Sequence, residues 1–462
     1  MVDLPEKFIR SLTGLAGYDE DAFRKVHSPG EPATSIRINL QKPLTSAKLA
    51  ERGASEKIPW TNTGYYLSNR PSFTFDPLFH AGCYYVQEAS SMFLEQAVRQ
   101  TTDMSKPLRV LDLCAAPGGK STHLLSLLPS NSLLVSNEVI RSRSTILRDN
   151  IIKWGYENVI VTSNDPKDFA ALENYFDVLL VDAPCSGSGL FRKDAAAIEE
   201  WSEHNVELCC QRQQRILADA WPCLKKNGIL IYATCSYSKQ EDEDILDWIQ
   251  QNFVVDNVFL HISNDWGITA SRTATGQEGY RFWPDKVKGE GFFLAAFRKT
   301  EGDHNYTKKI KNTASYLPKK DAAILDKWIA SAGHRYFVNR DEVYILQETF
   351  IPDYNILSSQ LRIIYSGIQA GTLIKEKLLP AHALAMSNLL IPAIASLAVT
   401  REQAVLYLQK KDMNIASPAN GWQLVHFHNH PLGWINALPN RINNYYPKEL
   451  RILKDSLPGA IN

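Results

Sequence analysis

Between Leu108 and Lys299 the chain alternates short apolar runs with longer segments of mixed polarity. The runs are Arg109–Leu113, Ser132–Ser136, Asn158–Thr162, Asp177–Asp182 and Gly228–Ala233. Most are rich in branched aliphatic residues and too short for helices, while the stretches between them can each hold a crossover helix. That alternation predicts a parallel sheet covered on both faces. Phe253–His261 and Gly291–Arg298 are further candidate strands closing the segment. The expected fold class is α/β, with a doubly wound, Rossmann-like domain over residues 101–300.

Residues 1–100 have a mixed pattern that includes the strand-like Thr34–Asn39, and are expected to form an N-terminal α+β RNA-binding or accessory domain. Residues 301–385 read as a linker and intermediate domain. It opens on a polar stretch carrying Lys308, Lys309, Lys311, Lys319 and Lys320, either a solvated linker or a local nucleic-acid contact. Residues 386–462 predict a small β-rich module with a helix from Thr400 to Lys410 and a strand from Trp422 to His428. His426, His428 and His430 alternate as on one strand face. Without a Cys or acidic neighbour they read as an exposed edge, and no metal is expected.

Composition narrows the class. Of 462 residues, 44% are hydrophobic and 22% charged, ordinary globular values that argue against wholesale disorder. No apolar run approaches the ~20 residues that span a bilayer; Leu389–Val399 falls short and contains Pro392. Met1–Arg10 lacks the apolar centre of a signal peptide. Seven cysteines form no scaffold spacing, which points to thiols in a reducing cytoplasm. A monomer without a membrane partner is expected. The 50 basic and 50 acidic side chains cancel, so any contact with a polyanion must be local.

The first run leads into Cys114, Ala115, Ala116, Pro117, Gly118, Gly119 and Lys120, then a helix-like Ser121–Leu128. Small residues after a first strand let backbone approach a ligand closely. A phosphate-binding P-loop requires Gly where Cys114 stands, and the three-glycine dinucleotide fingerprint is absent. Glu138, Asp165 and Asp182 follow or end the next three strands. Acids there converge on the sheet edge where open α/β sheets bind ligands, and suit a nucleoside-bearing cofactor.

Two cysteines fall on that same edge, Cys185 in Asp182-Ala-Pro-Cys-Ser-Gly-Ser-Gly189 and Cys235 in Thr234-Cys-Ser236. Burial in a core accounts for Cys83, Cys209, Cys210 and Cys223, but suits these two polar loops poorly. A thiol in such a place fits methylation at carbon 5 of cytosine. Thiolate addition at carbon 6 makes carbon 5 enamine-like, able to accept the methyl of S-adenosylmethionine, and loss of the carbon-5 proton expels the thiolate. Asp182 is the nearest acid for ring nitrogen 3. Spacing leaves open which thiol attacks.

Val110–Lys120, Asp182–Gly189 and Thr234–Ser236 together resemble the motif set of the Nop/Sun family of RNA cytosine-5 methyltransferases. Within it, the chain is most similar to bacterial small-subunit ribosomal RNA enzymes that end in a PUA-type RNA-binding domain, which Leu432–Trp434 and Asn444–Lys448 resemble. The resemblance implies that Cys114 to Lys120 form the S-adenosylmethionine loop. It implies Glu138 at the ribose hydroxyls, Asp165 at the adenine edge, and Asp182 at the methionine end or target base. It further implies Cys235 as nucleophile and Cys185 as the group assisting product release. Asp285 and Asn436 depart from residues frequent in the family.

The implied partner is 16S ribosomal RNA or the small ribosomal subunit, with transfer RNA as a rival substrate. A non-catalytic RNA-binding assembly factor is the rival from another class. Arg141, Arg143 and Arg148 on one helix are candidates for phosphate contact, and Tyr445, Tyr446 and Lys448 for stacking and pairing, with solvated surface and aromatic core as the plain alternatives.

Overall fold

The computed structural model describes residues 4–28, 32–54, 56–303, 306, 313–415 and 419–455. Lys308, Lys309 and Lys311 lie outside them. A ten-stranded sheet forms the middle of the molecule. In chain order its strands are β1 (Arg109–Asp112), β2 (Leu133–Asn137), β3 (Val159–Thr162), β4 (Phe176–Asp182), β5 (Leu224–Thr234), β6 (Val255–Asn257), β7 (Thr269–Arg272), β8 (Glu278–Phe282), β9 (Phe292–Lys299) and β10 (Ile363–Ser366). Across the sheet the order is β7-β8-β9-β5-β4-β1-β2-β3-β10, with β6 paired to β9. The run from β3 to β5 is parallel. Strands β7 to β9 and β10 join it antiparallel.

Each parallel strand is buried along most of its length, which explains its nearly continuous apolar sequence. Helices α1 (Gly119–Leu127) and α2 (Arg141–Trp154) connect β1 to β2 and β2 to β3. Gly155 ends α2 in the left-handed conformation, at φ 89°. Helix α3 (Glu203–Ala220) lies between β4 and β5, and α4 (Glu243–Asn252) follows β5. Of the predicted strand Phe253–His261, the part that forms is Val255–Asn257; beyond it the Leu260 amide bonds to the Tyr280 hydroxyl instead of a ladder partner.

The N-terminal part carries a four-stranded antiparallel sheet centred on Thr34–Ile38. A five-stranded sheet is drawn from residues 315–380, and a four-stranded one from residues 396–444. The predicted C-terminal helix forms over Arg401–Leu408, started by a capping box between Thr400 and Gln403. Ile36, Leu78 and Tyr84 of the N-terminal part share one core with Tyr407, Leu408 and Val425 of the C-terminal module. Among the described residues no helix is long and apolar enough to cross a membrane.

Three local expectations change. His428 sits with Asn429 in a turn of positive φ between Gly421–Phe427 and His430–Leu438, so the three histidines do not share one strand face. Tyr446 is core, packed against Tyr407 and His382, whereas Tyr445 is exposed and edges onto Trp422. Arg143 turns back to the glycine loop and donates to the Ala116 carbonyl at 2.9 Å.

Candidate active site

The glycine loop leaves β1 and enters α1 within a few residues. Gly118 allows this turn at φ 112°, where a side chain would be strained. The Ala115 amide donates to the Asn137 carbonyl at 2.8 Å. The buried Asn137 side chain then ties three strand ends together, donating to the Leu113 and Asn164 carbonyls and accepting from Thr162 Oγ1 and the Asn164 amide. From the N-terminal sheet, the buried Arg37 donates to Gln87 Oε1 at 2.7 Å and Thr122 Oγ1 at 2.6 Å, and to the Gly119 carbonyl at 3.3 Å. Its guanidinium lies 4.6 Å from the Trp154 ring centroid. The accessory sheet is therefore bolted to the first turn of the helix that follows the loop.

The strand-end carboxylates have distinct surroundings. Asp112 is fully buried; one oxygen accepts from Ser121 Oγ at 2.7 Å, and the other has no hydrogen-bond partner among the described residues. Burial, reinforced by Asp182 and Glu138, pushes its carboxyl up to about 7. Glu138 is buried, accepts from the Ile140 amide at 2.8 Å and lies 3.5 Å from Arg143. Asp182 accepts from Lys120 Nζ at 2.7 Å. Burial alone would lower the Lys120 ammonium, but Asp182 outweighs it and holds the group above its ordinary range. Asp165 caps the short helix Pro166–Ala171, accepts from the Lys167 amide and lies 3.5 Å from Arg215.

Cys185 and Cys235 follow β4 and β5, and their sulfurs stand 3.2 Å apart as free thiols. The hydrogen bond to Cys235 and burial hold the Cys185 thiol well above its ordinary value. Cys114 is also pushed up, chiefly by burial, as expected for a thiol that packs rather than reacts. Gly189 lets the two loops close: its amide donates to the Cys235 carbonyl at 2.9 Å, and a β-carbon there would lie 2.5 Å from the Gly291 oxygen and 2.7 Å from the Cys235 oxygen.

Beneath the thiols sits Glu241, which sequence reasoning passed over. One carboxylate oxygen accepts from the Ser186 amide at 2.7 Å and Gln213 Nε2 at 3.3 Å. The other accepts from the hydroxyls of Ser186 and Ser236, both at 2.6 Å. Each serine directly follows one of the two cysteines, so a single buried carboxylate pins both thiol loops. Burial raises its carboxyl, opposed by the serine hydrogen bonds. Next to it, Asp242 accepts from Thr234 Oγ1 at 2.6 Å, and Glu243 is paired to the buried Arg281. In sequence the acidic run Glu241–Asp244 resembles the solvated start of a helix; its one sign of a deeper role is its position just after the second cysteine loop.

A loop at the first crossover, acids at successive strand ends and paired thiols beside them define a methyltransferase, and known proteins agree. The family model described as "16S rRNA methyltransferase RsmB/F" matches residues 100–298. Models for the RsmF N-terminal domain and the RsmF PUA domain match residues 4–89 and 395–452. The chain is 30% identical over 484 residues to "Ribosomal RNA small subunit methyltransferase F" of Aeromonas salmonicida, covering 99% of both chains. The protein of that name from Shewanella amazonensis is 29% identical, over 97% of this chain and 98% of its own. A solved "Methyltransferase Homolog Protein" from Pyrococcus horikoshii superposes with a TM-score of 0.54 at 29% identity, over 64% of this chain and 96% of that one. This chain belongs to the ribosomal RNA small subunit methyltransferase F family.

Proposed function

We propose that the chain is an S-adenosylmethionine-dependent RNA cytosine-5 methyltransferase acting on 16S ribosomal RNA. The observation that carries the chemistry is the pair of free thiols 3.2 Å apart on the carboxyl edge of the parallel strands. The substrate follows the names printed for the relatives and the family model.

The residues present fit the cofactor. Among the described residues one buried Asp112 oxygen has no hydrogen-bond partner, Glu138 and Asp182 stand at neighbouring strand ends, and Gly118 and Gly119 leave part of the loop without side chains. Glu138 would hold the ribose hydroxyls, Asp165 the adenine edge, and the loop the methionine end. When bound, S-adenosylmethionine supplies the methyl group that cytosine carbon 5 accepts.

The protein's own work concerns the base. Cys235, as thiolate, adds to carbon 6 and forms a carbon–sulfur bond, moving electron density toward carbon 5. Asp182, held by Lys120, would pass the proton released by the Cys235 thiol to ring nitrogen 3 and then accept a hydrogen bond from that N–H, stabilising the adduct. After methyl transfer the carbon-5 proton leaves to solvent water with Cys185 assisting; the pair left on carbon 5 re-forms the double bond and expels the Cys235 sulfur as thiolate. A Cys185 thiol pushed toward its neutral form beside Cys235 supports its not being the attacking group. Carbon 6 is reachable when the cytosine is unstacked or in an open loop.

The test uses labelled S-adenosylmethionine, small ribosomal subunits and purified transfer RNA, with methylcytosine mapped afterwards. Transfer to 16S RNA is expected. Cys235→Ala abolishes it, and Cys185→Ala accumulates a protein–RNA adduct stable in denaturant. Transfer by Cys235→Ala at the normal rate would sink the role assignment, and methylation confined to transfer RNA would sink the substrate.

A further inference from the structure

A cleft of about 370 Å³ lies where β10 meets the five-stranded sheet of residues 315–380, away from the thiols. Arg148, Arg340 and Arg362 line it. Arg148 is paired with its neighbour Asp149. Arg340 and Arg362 are exposed and form no ion pair among the described residues. The carboxylate in the wall, Glu342, already accepts from the Tyr344 hydroxyl at 2.9 Å.

Two features separate this cleft from an ordinary solvated surface. Arg340 opens the two-residue turn between strands His334–Asn339 and Glu342–Gln347 at φ 58°, a conformation that favours glycine. An arginine there keeps a positive charge at the mouth of the cleft at a conformational cost of about 1 kcal/mol. Arg362 is fixed to the ligand edge of the large sheet. Its amide donates to Asn164 Oδ1 at 3.0 Å, and its carbonyl accepts from the Ser163 amide at 3.1 Å and Asn164 Nδ2 at 3.2 Å. These bonds use backbone, leaving the guanidinium free to reach outward.

We propose that this cleft binds the phosphodiester backbone of substrate RNA on the 3′ or 5′ flank of the target nucleotide. The inference rests on the reading of the substrate as RNA. β10 stands five strand spacings from β5, roughly 24 Å at ~4.8 Å each, on the same edge of the sheet as the thiols. An extended strand with one base at Cys235 crosses that distance in a few nucleotides. Guanidinium groups suit such phosphates because they keep their charge and donate in a planar fork. The site contributes affinity and register rather than sequence choice.

The experiment is a salt titration of a 16S RNA transcript binding to full-length wild type and to a variant carrying R340G and R362Q. Each lost phosphate contact on single-stranded RNA reduces the slope of log K against log salt by ~0.7. At 0.1 M salt that is about fivefold in affinity per contact, so the double variant is expected to bind roughly 25-fold more weakly. R340G is expected to leave thermal stability unchanged or higher, since glycine relieves the turn, and a double variant carrying R10Q and K25Q, two exposed positions elsewhere, serves as a charge-matched control with wild-type binding. Wild-type affinity and slope in the double variant overturn the proposal, as they would if the cleft took an acidic protein segment. Failure of the substrate reading shows separately, as a wild-type protein that binds the transcript without methylating it.

Discussion

Glu241 allows the coupling between the two thiol loops to be measured. Glu241→Ala removes the acceptors of the Ser186 amide, the Ser186 and Ser236 hydroxyls and Gln213. The serine hydroxyls, 3.4 Å apart, can turn toward one another, but the Ser186 amide direction is fixed and remains buried and unpaired. An orphaned buried donor costs about 1–3 kcal/mol, and the emptied side-chain volume adds to it, for a total of roughly 3–5 kcal/mol. Glu241→Gln is much milder. Its oxygen keeps the Ser186 amide, and its NH2 donates to hydroxyls that accept as readily as they donate, at a cost of about 1 kcal/mol. A displacement of Cys185 against Cys235 by ~1 Å suffices for a roughly hundredfold loss of rate. Single-turnover methyl transfer, cofactor titration and urea unfolding read these effects separately. The alanine variant is expected to lose about a hundredfold in rate with cofactor affinity within about twofold, and the glutamine variant to stay within about tenfold. An alanine variant as fast as wild type refutes the pinning role. A glutamine variant as slow as alanine shows that the charge matters and the hydrogen-bond geometry does not.

Gly189→Ala places a β-carbon against two backbone oxygens that cannot swing aside. It is expected to cost about 1–3 kcal/mol and most of the activity, and retention of the wild-type rate would show that the loops yield. Asp112 gives a pH signature. Its folded-state value of about 7 lies above the ordinary 3.8, so between these values the folded chain holds a proton that the unfolded chain releases. Stability therefore falls as pH rises through that window. In Asp112→Asn the fall is smaller, read as a smaller shift of the urea midpoint between pH 5 and pH 7.5; equal shifts in both proteins would count against the assignment.

The parallel strands were legible because each is buried on both faces and therefore continuous in apolar sequence. The thiol loops were legible because glycine, serine and proline around a cysteine are unusual for core. What escaped notice depends on partners far away in the chain. Ser186 and Glu241 are separated by 55 positions, and Arg37 and Thr122 by 85. No local period marks such pairs, and an acidic run or an arginine in a strand looks solvated until its partner is placed. His428 shows the opposite error, an alternation read through a turn that the residues on either side happened to continue. Tyr445 and Tyr446 are adjacent and alike in sequence, but strand-end geometry sends one outward and the other into the core shared with the N-terminal part.

Strand β10 has a consequence for the order in which the protein is made. It covers β3 at the outer edge of the large sheet's parallel run, although it lies more than 60 residues beyond β9 in sequence. Until residue 366 has emerged during synthesis, β3 presents an uncovered ladder of amides and carbonyls, the kind of edge that recruits foreign strands. At ~5–20 residues per second, that interval after β9 lasts roughly 3–13 s. The nascent catalytic sheet thus passes through a timed period of exposure, which ends when the intermediate segment arrives.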